Sequence, residues 1–386
     1  MKKVISKINV PLLLFMLIYS IFGLIMIFSA SSVTAVLRYG YASNHFFVRQ
    51  LIWIIVAYLA GFVVLFIPTR WYRIAVNKIT LVLVLVAMAV LLAIGAIAGG
   101  AKSWFDMGNY SLQPVEFLKI FWICYLAVYY HRISVKKKCT FMGMFFPIIV
   151  LIVILALVAM QPDLGGCVIV MFITGMIFFA LPFGKDYQKR AFGLGIIGAI
   201  GGILLFLAIG DKIFESYQYR RLTEFSNACQ RYSDESGYQV CNGYIAIHNG
   251  GLFGVGLGES TQKYSYLPEA HTDFIFPIIC EELGVIVGIL LVLGYMVMLI
   301  FVLNVAKSTY TLRDSILCYG IFAYILAHIL VNLLGVLGLI PLTGVPLPFL
   351  SYGGSYNLSL IVGLFIVQRV SVENKLEKKK KLIENL

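Results

Sequence analysis

Residues 10–30 read VPLLLFMLIYSIFGLIMIFSA, a stretch without a single charged side chain. About 20 apolar residues in a helix span the hydrocarbon core of a bilayer, and a helix satisfies every backbone N–H and C=O within the segment, as lipid demands. The run is too long for the apolar core of a cleavable leader and no small-residue cleavage site follows it, so it reads as an uncleaved first span. Comparable runs recur along the chain, with cores near 51–67, 79–99, 116–130, 141–160, 166–183, 191–210, 274–304, 315–338 and 349–368. This pattern predicts an all-α integral membrane protein of about ten transmembrane helices. Composition points the same way: 61% of residues are hydrophobic, 12% are charged and mean hydropathy is +0.93, which excludes an ordinary soluble domain. No polar stretch is long enough to fold separately, so residues 1–386 read as a single polytopic membrane domain.

The formal charge of +12 is positional. Basic residues gather in every second connection, at Lys2, Lys3 and Lys7, at Arg70, Arg73 and Lys78, at Arg132 and Lys136 to Lys138, at Lys185, Lys189 and Arg190, at Lys307 and Arg313, and in the tail. Basic residues in short loops mark the cytoplasmic side, so both termini are predicted to be cytoplasmic. Residues of about 369–386 form a basic cytoplasmic tail, in which Lys378, Lys379, Lys380 and Lys381 read as solvated or facing anionic lipid, and no nucleic-acid partner is implied.

One long loop, about 211–273, falls between predicted helices 7 and 8 on the extracellular side. Its aromatic content, including Phe214, Tyr217, Tyr238 and Tyr244, predicts an ordered loop. The glycine-rich run Gly250 to Gly258 follows no strand of a βαβ unit, so no nucleotide site is expected. Cys229 and Cys241 lie in this loop, where thiols meet an oxidising compartment, and are expected to form a disulfide. Cys124, Cys139, Cys167, Cys280 and Cys318 fall in or beside helices, and no CxxC spacing occurs.

Four polar, glycine- or proline-rich segments interrupt the apolar background: GGAKSWFDMGNYSLQPVEFLK (99–119), QPDLGG (161–166), QKYSYLPEAHTDFIFPIICEELG (262–284) and PLTGVPLPFLSYGGS (341–355). The topology puts all four on the outer face, which suggests a site fed from one leaflet. A carboxylate in lipid costs roughly 3 kcal/mol at mid-span, so intramembrane acids are candidates for function. Glu281 and Glu282 read instead as buried partners of Lys or Arg, or as lying nearer the surface.

Together these segments resemble the SEDS family of FtsW, RodA and SpoVE, whose members polymerise lipid II outside the cytoplasmic membrane. Most specific is the run Leu267 to Phe276, LPEAHTDFIF, followed by Glu281, Glu282, Leu283 and Gly284. Departures are Val115 within QPxE, Gln218 where Arg is frequent, Cys280 before Glu281, and Pro346 and Tyr356 in the last motif. The resemblance implies a peptidoglycan glycosyltransferase of the bacterial plasma membrane, acting in division or cell shape, with FtsW the nearer wording. It carries the proposed catalytic aspartate to Asp273, a sensitive tryptophan to Trp104, the QPxE motif to Gln113 and Glu116 with Lys119 one turn on, and paired arginines to Arg220 and Arg221. Glu269, His271 and Ser355 complete the expected substrate-facing set.

Lipid II carries its sugar α-linked to a diphosphate, and the polymer is β-1,4-linked, so one inverting displacement suffices. Asp273 could act as the base, or hold a divalent cation such as Mg2+ or Mn2+ that neutralises the diphosphate. Basic side chains on the outer segments able to hold that diphosphate are Lys102, Arg220, Arg221 and Lys263. The products would be glycan and undecaprenyl diphosphate. The resemblance further implies a class B penicillin-binding protein as transpeptidase partner, among other divisome or elongasome membrane proteins. Two alternatives stand beside this reading: a lipid II flippase, which would need polar residues through the full bilayer depth, and a non-catalytic scaffold recruiting a transpeptidase, which would need no particular acid.

Overall fold

A computed structural model describes residues 2–94, 96–98, 101–106, 111–135, 141–182, 227–233, 235–264 and 266–384, with a few positions between 189 and 198. The predicted helix at 191–210 therefore falls largely outside the described residues, as do the loop from 211 to 226 and Cys139.

Among the described residues, five helices are long and apolar enough to cross a membrane: α1 (Val10–Leu37), α2 (His45–Phe66), α9 (Val285–Lys307), α10 (Leu312–Val336) and α11 (Gly354–Glu384). A sixth candidate is a pair bent by 65°, in which Thr69–Ala75 precedes α3 (Lys78–Ile94). Three further helices, α4 (Pro114–Val135), α5 (Phe141–Ala159) and α6 (Leu164–Ala180), follow in chain order. The chain then adds α7 (Glu235–Gly250) and α8 (Ile275–Leu283) at one end of the bundle.

The helices divide into an interior and a perimeter. The most apolar windows of α10 and α11 are 72% and 89% buried, against 28% for α2 and α9, so the former two form the centre and the latter two present apolar side chains outward, as lipid requires. Along α10 pack α4, α6, α9 and α11, while α2 lies along α11. Helix α4 is long enough to span but carries Glu116, Lys119 and Arg132; most of it is buried as far as Tyr130, and Arg132 in its last turn is exposed. Glu116 and Lys119 are covered by protein, which makes their presence in an apolar bundle tolerable.

Side chains that satisfy helix ends also fix the packing. Asn9 caps α1 by accepting from Leu12 N, and exchanges two hydrogen bonds with Gln368 of α11, at 2.8 and 2.9 Å. At the basic end of the bundle Glu373 accepts from Thr69 N and Oγ1, and from Arg369 Nε at 2.8 Å.

Three boundaries differ from expectation. The predicted helix at 274–304 is two helices meeting at Gly284, which has φ 87°, a conformation that costs side-chain-bearing residues dearly. A Cβ there would lie 2.2 Å from the Leu252 carbonyl oxygen, because the glycine-rich loop crosses the break. The predicted helix at 79–99 ends at Ile94 and is followed by short antiparallel strands, β1 (Ala96–Ala98), β2 (Ala101–Asp106) and β3 (Ser111–Leu112). The predicted helix at 349–368 runs on to Glu384, with Arg369, Val370, Val372 and Asn374 buried and Lys378 to Lys381 exposed.

Candidate active site

One end of the bundle is built on a second core. Leu267, Ala270 and Phe274 turn inward against Ala30, Ala228, Val240 and Val336. Backbone N–H groups of Thr272 and Phe274 both donate to the Glu269 carbonyl at 3.2 Å, closing the turn that carries the acidic motif. A disulfide joins Cys229 to Cys241 and closes the loop leading into α7.

Asp273 is 8% exposed. One carboxylate oxygen lies 3.1 Å from the Thr272 hydroxyl, which is also 2.7 Å from a carboxylate oxygen of Glu269, so the two acids flank one hydroxyl. The other carboxylate oxygen would stand 3.8 Å from a Cβ at Gly344, which places the acid over the last loop. Among the described residues no group of three His, Cys, Asp or Glu side chains could hold a metal ion. A Mg2+ ion that shares its coordination with substrate phosphates is held by one or two carboxylates, and Asp273 with Glu269 offers two.

Beside the acid, the His271 ring packs between Phe46 and Tyr352, with centroids 4.5 and 5.6 Å away, and its carbonyl accepts from Tyr352 N at 2.9 Å. Burial, aided by the charge of Arg38, pushes the imidazole down to about 4, so it is neutral at physiological pH. Among the described residues Nδ1 has no hydrogen-bond partner. Arg38 itself donates to the Pro268 carbonyl at 3.4 Å and stays exposed, a cation at the edge of the motif that sequence reasoning passed over.

The four polar segments are connected by named contacts. Gln113 N donates to Ser355 Oγ at 3.0 Å, joining QPVE to the last loop. Asp163 caps α6 through Gly166 N at 2.7 Å, and Gln113 Nε2 reaches the same carboxylate at 3.5 Å. A Cβ at Gly165 would lie 2.6 Å from Val345, so QPDLGG lies directly against the last loop. Below this junction Lys119 pairs with Glu116 at 2.7 Å, both fully enclosed, and Tyr324 donates to Glu116 at 3.3 Å. Lys119 Nζ stands 3.4 Å from His328 Nε2, and His328 Nδ1 stands 3.2 Å from the Pro346 carbonyl. An ammonium only donates, so Nε2 accepts and the proton on Nδ1 goes to Pro346.

Not every expected site residue joins this assembly. Arg220 and Arg221 lie outside the described residues, and so does the side chain of Lys102, whose backbone belongs to β2. Trp104 is half-buried on β2, opposite Ala96. Lys263, expected to face a diphosphate, is 3% exposed and paired with Glu282 at 3.0 Å, with Ser29 and the Gly258 carbonyl also in reach. Burial of an ammonium demands such partners. Glu281 accepts from the hydroxyls of Ser260 and Thr261 and the amides of Thr261 and Gln262, pinning the same loop. Sequence reasoning also missed His328 and Asn332. Two polar residues four apart within an apolar span were the available signal.

Fold and site together define a multi-pass membrane protein whose polar side chains converge at one end of a helical bundle. The chain belongs to the cell cycle protein family of FtsW, RodA and SpoVE, whose profile matches residues 10–376. It is 36% identical to the probable peptidoglycan glycosyltransferase FtsW of Bacillus subtilis (strain 168), over 100% of this chain and 96% of that one. Identity to stage V sporulation protein E of the same organism is also 36%, over 90% and 93% of the two chains. Among solved structures, a chain of a peptidoglycan synthase complex that coordinates polymerization and crosslinking superposes with TM-score 0.75 at 22% identity, covering 95% of this chain and 98% of that one. The rod shape determining protein RodA of Thermus thermophilus gives TM-score 0.65 at 23% identity, covering 94% and 96%.

Proposed function

We propose that this protein is a peptidoglycan glycosyltransferase that polymerises lipid II at the outer face of the bacterial cytoplasmic membrane. The full topology is ten spans with both termini cytoplasmic, the acidic motif then facing outward. The observation that supports this reading is a buried acid, Asp273, standing over Gly344 of the last polar loop, which the QPDLGG and QPVE segments also contact. In this reading the Asp273 carboxylate takes the proton from the acceptor sugar's hydroxyl. The hydroxyl oxygen bonds to the anomeric carbon of the donor as the bond to diphosphate breaks, and undecaprenyl diphosphate leaves with the electron pair. Inversion at that carbon turns the α-linkage into β. Mg2+ or Mn2+ would be held by Asp273 with Glu269 and would neutralise charge on the departing diphosphate. Arg38, together with Arg220, Arg221 and Lys102, supplies further positive charge on that side.

A class B penicillin-binding protein is the partner that would crosslink the product. The test is glycan formation from lipid II by the purified complex with transpeptidation blocked. Asp273→Asn keeps size and charge-free hydrogen bonding but loses basicity, so polymerisation should fall by about 100-fold or more while thermal stability is kept. Wild-type polymerisation by this variant would overturn the assignment. A flippase would instead translocate lipid II in vesicles without forming glycan, and a scaffold would do neither.

A further inference from the structure

We propose that Asn332 is the positioning residue of the site, a clamp that fixes the backbone of Asp273 against the last outer loop; the inference rests on the reading of Asp273 as the reactive acid.

Asn332 lies near the outer end of α10, 3% exposed. Its Nδ2 is 2.8 Å from the Asp273 carbonyl oxygen and 2.8 Å from the Val345 carbonyl oxygen. Both neighbours are acceptors only, so the amide orientation follows from chemistry: its NH2 must face them, and each hydrogen is used once. One side chain therefore joins two loops far apart in sequence.

The two anchored points are not arbitrary. Asp273 is the acid itself, and Val345 follows Gly344, the residue over which the Asp273 carboxylate stands. One turn earlier on α10, His328 holds the neighbouring carbonyl, Pro346, and is in turn held by Lys119. Helix α10 thus sets the height of residues 345 and 346 twice, and sets Asp273 by the same amide. Helices hold side chains more rigidly than loops do, and a reactive group needs that rigidity, since a displacement of about 1 Å can cost about 100-fold in rate. Among the described residues the buried Asn332 Oδ1 atom has no partner, a cost of the kind retained where a side chain's other end is needed. Asn332 bonds the acid's backbone carbonyl, so it acts through Asp273.

The experiment uses the full-length protein with its partner and measures initial rates of lipid II polymerisation across substrate concentration and pH. Asn332→Leu keeps bulk and removes both donors. It should lower turnover by about 10- to 100-fold with little change in the half-saturating lipid II concentration, and should displace the pH profile, because the acid's surroundings change. Asn332→Gln retains an NH2 group on a longer stem and should recover part of the rate. Asn374→Ala is the control, since Asn374 is a buried amide that bonds the Val305 carbonyl and Ser308 far from this site. It should lower stability without displacing the pH profile. Turnover by Asn332→Leu within twofold of wild type, or a loss matched by Asn374→Ala at equal stability, would overturn the clamp. Failure of the underlying reading looks different: Asp273→Asn would stay active. An inactive Asp273→Asn beside a fully active Asn332→Leu removes the clamp alone.

Discussion

At the scale of single residues, the acid-bearing turn carries a histidine that the fold holds neutral. His271 is neutral because its ring is enclosed by Phe46 and Tyr352 with Arg38 nearby, which holds it at about 4 against an ordinary 6.5. Between those values the unfolded chain binds the proton and the folded chain does not, so folding stability rises with pH across that window. The contribution is complete above pH 6.5 and is lost as pH falls toward 4, by roughly 3 kcal/mol for a shift of this size. His271→Phe, which retains an aromatic ring in the same enclosure, should flatten the decline between pH 6.5 and 4 in denaturant titrations at a series of pH values. An unchanged decline would mean that other groups set the acid sensitivity. The identity of the motif residues was legible in the sequence, whereas their division of labour was not. That Asp273 faces Gly344 while Phe274 turns into the core follows from one turn of backbone, set by the bonds to the Glu269 carbonyl.

Among the elements, hydropathy located most helices to within a few residues, because each run of apolar side chains is a direct record of lipid or core contact. It failed where a break is dictated by tertiary contact. Nothing in the apolar run from Phe274 onward announces that a separate loop crosses it, although Gly284 is the residue that permits the crossing. Gly254, with φ 80°, meets the same junction from the other side: a Cβ there would lie 2.3 Å from the Glu282 carbonyl oxygen. Gly284→Ala should therefore be among the most damaging small substitutions in the chain. Its φ of 87° is unfavourable for alanine and the new methyl collides with backbone, which has no rotamer by which to yield. A loss of about 3 kcal/mol or more is expected, read as poor accumulation in the membrane and a lowered melting temperature. Gly175→Ala, in α6 with nothing within 4 Å of the new methyl, should be tolerated. Equal behaviour of the two would show that the loop can move aside.

Across the whole molecule, the outer layer is tied to the bundle by buried charge, and this decides how Lys263 is understood. Lys263 belongs to the loop, Glu282 to the end of α8 and Ser29 to α1, so their contacts join three elements distant in sequence. Such a pair contributes little beyond what apolar packing would, because desolvation of both ions offsets their attraction; removing one partner alone leaves an uncompensated buried charge and costs about 3–5 kcal/mol. Lys263→Met and Glu282→Leu should each destabilise by about that much, and the double variant by less than either, a non-additivity measurable in a double-mutant cycle. The same cycle separates structure from chemistry. If Lys263 serves only to hold the layer together, the stable double variant should polymerise lipid II at close to the wild-type rate. If its ammonium were needed by the diphosphate, the double variant would be stable and inactive, and the charge near the leaving group would have to be reassigned from Arg38 and its outer-face neighbours to Lys263.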